Sequence, residues 1–222
     1  MFQWVTAGES HGEALVMVLD GMPAGFEIDM EQINAQLRRR QGGHGRGGRQ
    51  QIERDTIHIL SGVRNARTLG SPIAMMVRNR DWENWQGKMG PQKFDVEPDK
   101  VTRLRPGHAD MAGALKYDHD DVRNVLERAS ARETASRVAV GAVARQCLAQ
   151  FGVDLHSFVR RIGPVESGAQ PPYDWVAIEA SPVRAPSHGE EMVAAIDAAR
   201  EAGDTLGGIY EVVAEGVPIG LG

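Results

Sequence analysis

DDVRNVLERASARETASRVAVGAVARQCLAQ, residues 120–150, carries the longest helical pattern in the chain. Val122, Val125, Leu126 and Ala129 fall at i, i+3, i+4 and i+7, and Val138, Ala142 and Val143 continue an apolar face beyond them. The spacing predicts one helix from about Asp120 to Gln150. Its centre, Arg128–Thr134, is polar: Ser130 and Thr134 stand where helix propensity prefers Ala or Leu. Two readings stay open for that centre, a solvated charged face or a face turned to a ligand. The small residues around it, Gly141 among them, suit close packing against sheets.

Outward from this helix, strand patterns come in pairs. FQWVT (2–6) and ALVMVLD (14–20) flank the polar link AGESHGE, and TIHILSG (56–62) and IAMMVR (73–78) flank the turn-rich RNARTLGSP. Asp29 to Arg40 reads as a helix, with Asp29 and Gln32 as a capping box and Ile33 and Leu37 on one face. Residues 79–107, with Trp82, Trp85 and several prolines, read as irregular, either a lid or a packed loop. Residues 155–162 read as a strand, Ser187 with Glu190 as the cap of a helix ending near Gly203, and IYEVVAEGVPIGLG as a strand and turn. Paired strands and a long central helix point to α+β and not to a doubly wound sheet. No G-x-G-x-x-G follows a strand, and no G-x-x-x-x-G-K-[ST] occurs.

The bulk numbers narrow the class. A chain of 222 residues allows one large domain or two small ones, and 41% hydrophobic residues suffice for a core. The single cysteine, Cys147, excludes an intrachain disulfide and a thiolate metal cluster. No 18-residue apolar run and no secretory pattern is present, so the expectation is a soluble cytoplasmic protein away from membranes.

Against a formal net charge of −5, RRRQGGHGRGGRQQIER (38–54) stands out, with six arginines interleaved with five glycines. Glycine lets the backbone approach a ligand, and its N–H groups join guanidinium forks around an anion. The stretch reads as a pocket for a phosphate-bearing small molecule. A nucleic-acid segment is the competing reading, weakened by the absence of stacking aromatics and by the acidic chain.

Two histidine motifs sit on turns. In Gly8-Glu9-Ser10-His11-Gly12, His11 either faces a ligand as a general acid or bonds its own backbone. In Arg105-Pro106-Gly107-His108-Ala109-Asp110, the neighbouring Asp110 can orient the imidazole of His108, or the histidine is incidental to a turn. The other histidines lack zinc-like spacing, so no metal is expected.

Together these motifs resemble the chorismate synthase family. The matching runs, in family order, are Ala7–Gly12, Arg38–Arg40 with Gly45-Arg46-Gly47, Glu53-Arg54-Asp55, Ser61-Gly62 and Thr68–Ile73. Arg105–Asp110, Lys116-Tyr117, Glu127–Thr134 and Gly203–Gly208 continue the order and bring it across nearly the whole chain. The resemblance implies anti-1,4-elimination of phosphate from 5-enolpyruvylshikimate 3-phosphate to chorismate, with reduced FMN required and NADPH as a candidate reductant. It implies a β-α-β sandwich with helices packed between antiparallel sheets, assembled as a homotetramer. By the same resemblance His11 is the acid toward phosphate and His108 serves the flavin. Arg40, Arg46, Arg49, Ser10 and Arg132 hold substrate or NADPH phosphate, and Arg128, Ala129 and Ser130 contact FMN. The polar centre of the 120–150 helix then reads as functional.

Family members continue well past Gly222, so residues 1–222 read as a single, C-terminally incomplete domain. The expectation is weak FMN binding and poor turnover by this chain alone. The alternatives are an inactive binding or oligomerisation fragment and the nucleic-acid module.

Overall fold

The computed structural model describes residues 1–46, 54–168 and 170–221. Arg49, one of the arginines expected to bind phosphate, lies outside the described residues. The chain divides into two compact units, residues 1–40 with 51–144, and residues 41–50 with 145–222.

The first unit contains strands β1 (Gln3–Ala7) and β2 (Ala14–Asp20), helix α1 (Met30–Gln41) and strands β3 (Ile57–Ile59), β4 (Val63–Arg64), β5 (Arg67–Thr68) and β6 (Ile73–Arg78). Then come the short helix α2 (Gln86–Met89), α3 (Asp110–Tyr117), α4 (Arg123–Leu126) and α5 (Thr134–Ala149), whose last turn enters the second unit. Four strands form an antiparallel sheet in the order β1-β2-β6-β3. The period-2 alternation sets its register: Leu15 faces Val77, Met17 faces Met75 and Leu19 faces Ile73, all six buried. Each such side chain contributes about 1.5–3 kcal/mol on burial, so a slip of one residue would forfeit the whole row. Helix α1 begins where Asp29 accepts the N–H of Glu31 at 2.8 Å, and it buries Ile33 and Leu37 completely. Asn34 ties it to the sheet by accepting the Ile57 N–H at 2.9 Å.

Three sequence expectations need correction in this unit. The strand expected over 56–62 stops at Ile59. Gly62 has φ +82°, and a Cβ there would lie 2.5 Å from the Pro72 carbonyl, so the chain turns into the small β4–β5 hairpin. Residues 110–117, of which only Asp110 was read in a turn motif and no helix was expected, form α3, whose Gly113 brings its backbone against Val125.

The largest correction concerns residues 120–150, which are not one helix. Helix α4 is a single turn, begun by Asp121 accepting the Arg123 N–H at 2.9 Å. Ser130 is extended (φ −64°, ψ 148°), and its hydroxyl accepts the Arg132 N–H at 3.2 Å. A 3₁₀ turn, Ala131–Glu133, then leads into α5. Serine offers the backbone an alternative to the helical ladder, and here that local bond wins over the apolar periodicity. The segment Arg128–Thr134 is therefore an inter-helix joint. Beyond it the periodicity holds: Ala135, Ala139, Ala142 and Val143 form the buried face of α5.

The second unit contains β7 (Asp154–Ile162), β8 (Val165–Glu166), helices α6 (Trp175–Ala180) and α7 (Gly189–Glu201), and β9 (Gly208–Glu215), with an antiparallel sheet in the order β8-β7-β9. Buried Val183, Ala185 and Met192 form its core with Val159, Ile162, Val165, Val193 and Ile196 against them. A bulge between Val159 and Arg161 frees the Val159 N–H to donate to the Arg184 carbonyl at 2.9 Å. Helix α7 has the expected end but another start: His188, at φ +55°, precedes it, and the Ser187 hydroxyl donates to the Ser167 carbonyl. Ser187 is thus spent on a loop contact and does not cap with Glu190. All the sheets being antiparallel and the helices separate insertions, the architecture is α+β.

Candidate functional site

The β1–β2 connection, Gly8–Gly12, is held from three sides within the first unit. Gly8 has φ +102°, and a Cβ there would sit 2.3 Å from the Ala14 carbonyl, so only glycine allows the close approach that sharpens this loop. From one side, Glu127 clamps the loop. Its carbonyl accepts the Ser10 N–H at 2.9 Å, and its carboxylate accepts the His11 N–H at 2.9 Å. The same carboxylate lies 2.8 and 2.9 Å from His11 Nδ1. From the second side, Arg128 donates to the Gly8 carbonyl at 3.3 Å and to the Thr6 carbonyl and hydroxyl at 3.0 Å. From the third, the Asn79 amide donates to the carbonyls of Gly12 at 2.7 Å and Glu9 at 3.1 Å.

Asn79 joins this loop to a basic cluster. Its Oδ1 accepts from Arg132 Nε at 2.9 Å, and Arg132 in turn donates to Asp55 at 2.6 Å. Arg40, at the C-terminal end of α1, lies 3.5 Å from the other oxygen of Asp55. It also donates to the Thr134 hydroxyl at 2.9 Å and the Ala131 carbonyl at 3.0 Å. The joint at Ser130 is what turns these acceptors toward α1. Arg40 and Arg132 thus flank one buried carboxylate beside the His11 loop. Ser10 is itself buried.

The region 79–107 is a 3₁₀ turn (Arg80–Asn84), α2 and an irregular tail. It delivers Trp85 onto His11, the rings stacked at 3.8 Å with 22° between planes. Trp85 is anchored by its Nε1–H donating to Asp81 at 2.8 Å, and the Arg123 guanidinium lies 5.9 Å from its ring centre.

His108 has a cluster of its own. Its Nδ1 is hydrogen-bonded to Asp110, the buried first residue of α3. Arg105 donates to the same carboxylate from its backbone N–H and Nε, both at 3.0 Å. The Arg105 bond holds the Asp110 carboxyl well below the usual carboxylate range, outweighing burial, with the His108 bond adding to it. The Arg105 guanidinium is raised in turn, first by its bond to Asp110, with the charges of Asp110 and Glu127 adding against burial.

Arg46 belongs to the second unit, where its Nε–H donates to the Gly42 carbonyl at 3.1 Å. With His44, Arg200, Asp204 and Gly207 it lines a cleft of about 650 Å³. Gly45, at φ +75°, packs against Ile196 at the floor of that cleft. Among the described residues no group of three or more His, Cys, Asp or Glu is placed to hold a metal ion. The exposed guanidinium of Arg128 and the exposed Ala129 are the groups at the Ser130 joint that could meet an anionic cofactor.

A family model described as chorismate synthase matches residues 2–222. This chain belongs to the chorismate synthase family. It is 56% identical to the chorismate synthase of Symbiobacterium thermophilum, over 99% of this chain and 59% of that protein. It is likewise 56% identical to the chorismate synthase of Moorella thermoacetica, over 100% of this chain and 59% of that protein. A crystal structure of chorismate synthase superposes with a TM-score of 0.78 at 41% identity, covering 98% of this chain and 59% of that one. The chain thus spans a little under three fifths of the length of these chorismate synthases.

Asp110 was legible as a partner for His108, being two residues away. Glu127, Asn79, Asp55 and Trp85 were not legible as site residues. Glu127 and Asp55 lie inside motif runs, but nothing in the runs points to His11 or Arg132, which are 116 and 77 residues distant.

Proposed function

We propose that this chain carries the phosphate-departure half of a chorismate synthase active site. The reaction is the elimination of phosphate from 5-enolpyruvylshikimate 3-phosphate to give chorismate. Its C3–O bond breaks with the electron pair going to the phosphate oxygen, and a ring proton is lost elsewhere. A proton delivered to the leaving phosphate and cations around it lower that barrier. His11 is the proton donor. By the family resemblance Arg40, Arg46, Arg49 and Ser10 are assigned to the phosphate or the carboxylates of the substrate. Arg132, buried and committed to Asp55 and Asn79, serves the substrate by fixing the loop that carries His11. The observation that carries the reading is this linkage, in one unit, of an acid-bound histidine to an Arg40–Asp55–Arg132 cluster through Asn79.

The flavin part of the reading rests on Arg128, Ala129, Ser130 and His108. The joint at Ser130 leaves cation and backbone at the surface, a donor set that fits the phosphate and ribityl end of FMN. When bound, reduced FMN supplies transient electron donation without net redox change. NADPH as reductant, a homotetrameric assembly and a cytoplasmic location belong to the same reading.

The test is anaerobic chorismate formation with chemically reduced FMN. It is run in this chain and in a chimera completed with the rest of the Symbiobacterium relative. Turnover in either, lost in His11→Ala, is expected. Turnover that survives both His11→Ala and His108→Ala overturns the assignment.

A further inference from the structure

Among the described residues of the first unit, three carboxylates are deeply buried: Asp55, Asp110 and Glu127. Asp55 has arginines on both sides, and Asp110 has Arg105. Glu127 differs. Its side chain is 1% exposed, and among the described residues its carboxylate is hydrogen-bonded to the backbone N–H and ring Nδ1 of His11. A carboxylate is expensive to bury without partners, so its position calls for a reason beyond packing.

The geometry supplies one. An ionised carboxylate only accepts hydrogen bonds. The His11 N–H, a fixed donor, binds Oε2 at 2.9 Å, and Nδ1 sits 2.8 Å from the same oxygen. Nδ1 must therefore carry a proton, which makes Nε2 the nitrogen left for proton transfer. Trp85 covers one ring face at 3.8 Å, so an in-plane bond and an out-of-plane stack together hold the ring rotation. The Ser10 N–H on the Glu127 carbonyl fixes the backbone beneath it.

We propose that Glu127 is the positioning residue for His11: it keeps the proton on Nδ1, so that the imidazolium gives its Nε2 proton to the departing phosphate and is left as the Nδ1–H tautomer. The inference rests on the acid role given to His11 above, but its structural part is tested without turnover.

The experiment is long-range ¹H–¹⁵N NMR of histidine-labelled 222-residue chain above the imidazole titration range, with His11 assigned by its loss in His11→Gln. The expected spectrum has His11 in the Nδ1–H form. Glu127→Gln, which replaces a charged acceptor by a neutral amide whose NH₂ can donate to Nδ1, shifts His11 toward the Nε2–H form or an average of the two. Glu127→Asp restores most of the original signal. A wild-type His11 in the Nε2–H form, or a tautomer unchanged in Glu127→Gln, overturns the proposal. The wild-type spectrum decides even where Glu127→Gln fails to fold. In a chimera that turns over, Glu127→Gln lowers kcat per folded enzyme about 100-fold with little change in KM, the folded fraction being fixed by circular dichroism. A correct tautomer with no turnover in any chimera would count against the assigned reaction and leave the positioning role intact.

Discussion

Arg132 and Asp55 form a buried pair, guanidinium nitrogen to carboxylate oxygen at 2.6 Å, across 77 residues of sequence. The pair connects the 3₁₀ turn before α5 to the segment before β3, and through Asn79 it supports the His11 loop. Replacing Arg132 by Met leaves Asp55, among the described residues, with Arg40 at 3.5 Å. The expected loss is about 3 kcal/mol, read as a lower urea midpoint at unchanged m-value. A loss under about 1 kcal/mol would mean that Arg40 closes in and carries Asp55 by itself.

Gly8→Ala tests the strain in the β1–β2 loop. The added Cβ meets the Ala14 carbonyl at 2.3 Å, and the φ of +102° is unfavourable for alanine. The expected result is a lower Tm and a displaced His11, seen as loss of its assigned imidazole signal position. A variant of wild-type stability would show that the loop reaches His11 by another backbone path.

The Asp110 cluster predicts a specific acid response. Its folded pKa is depressed, so it contributes stability above the unfolded value of about 4, and that contribution disappears as pH falls through the folded value, which lies below the usual range. The gap in urea midpoint between wild type and Asp110→Asn is therefore still present at about pH 5. Below about pH 4 it narrows. A gap that widens on acidification would reverse the sign of the linkage and remove Arg105 as the stabilising partner.

Trp85 shields His11. Trp85→Leu removes the stacked ring, costs on the order of 1 kcal/mol, and raises the rate at which diethyl pyrocarbonate modifies His11. An unchanged modification rate would show that the 79–90 segment does not cover the imidazole in solution.

Arg46 is exposed at the edge of its cleft, and its side chain donates to the nearby Gly42 carbonyl. Arg46→Ala should leave stability within about 0.5 kcal/mol while raising KM for the phosphorylated substrate in a chimera that turns over. Stability lost with KM unchanged would assign Arg46 to the packing of the cleft.

Local order was readable from the residues wherever one neighbour-scale force dominated. Alternating apolar residues set β2 at 14–20 and β6 at 73–78 because a pleated strand buries every second side chain. Asp29, Ile33 and Leu37 set α1 because cap and apolar stripe agree. Over 120–150 two local forces opposed each other. The apolar periodicity pointed to one helix, and the break came from a serine bond whose value depends on what Arg132 and Thr134 find across the fold.

The candidate site divides in the same way. Its ingredients, His11, His108, Asp110 and the arginines, were determined by residue type and spacing, as was membership of the family. Which carboxylate each histidine and arginine meets was decided only by tertiary structure. Glu127 reaches His11, Asp55 reaches Arg132 and Trp85 covers the imidazole because sheet register and the α4–α5 joint bring distant segments together. A buried charge carries no mark in the sequence of the partner it will need, and folding selects that partner from the groups brought within reach.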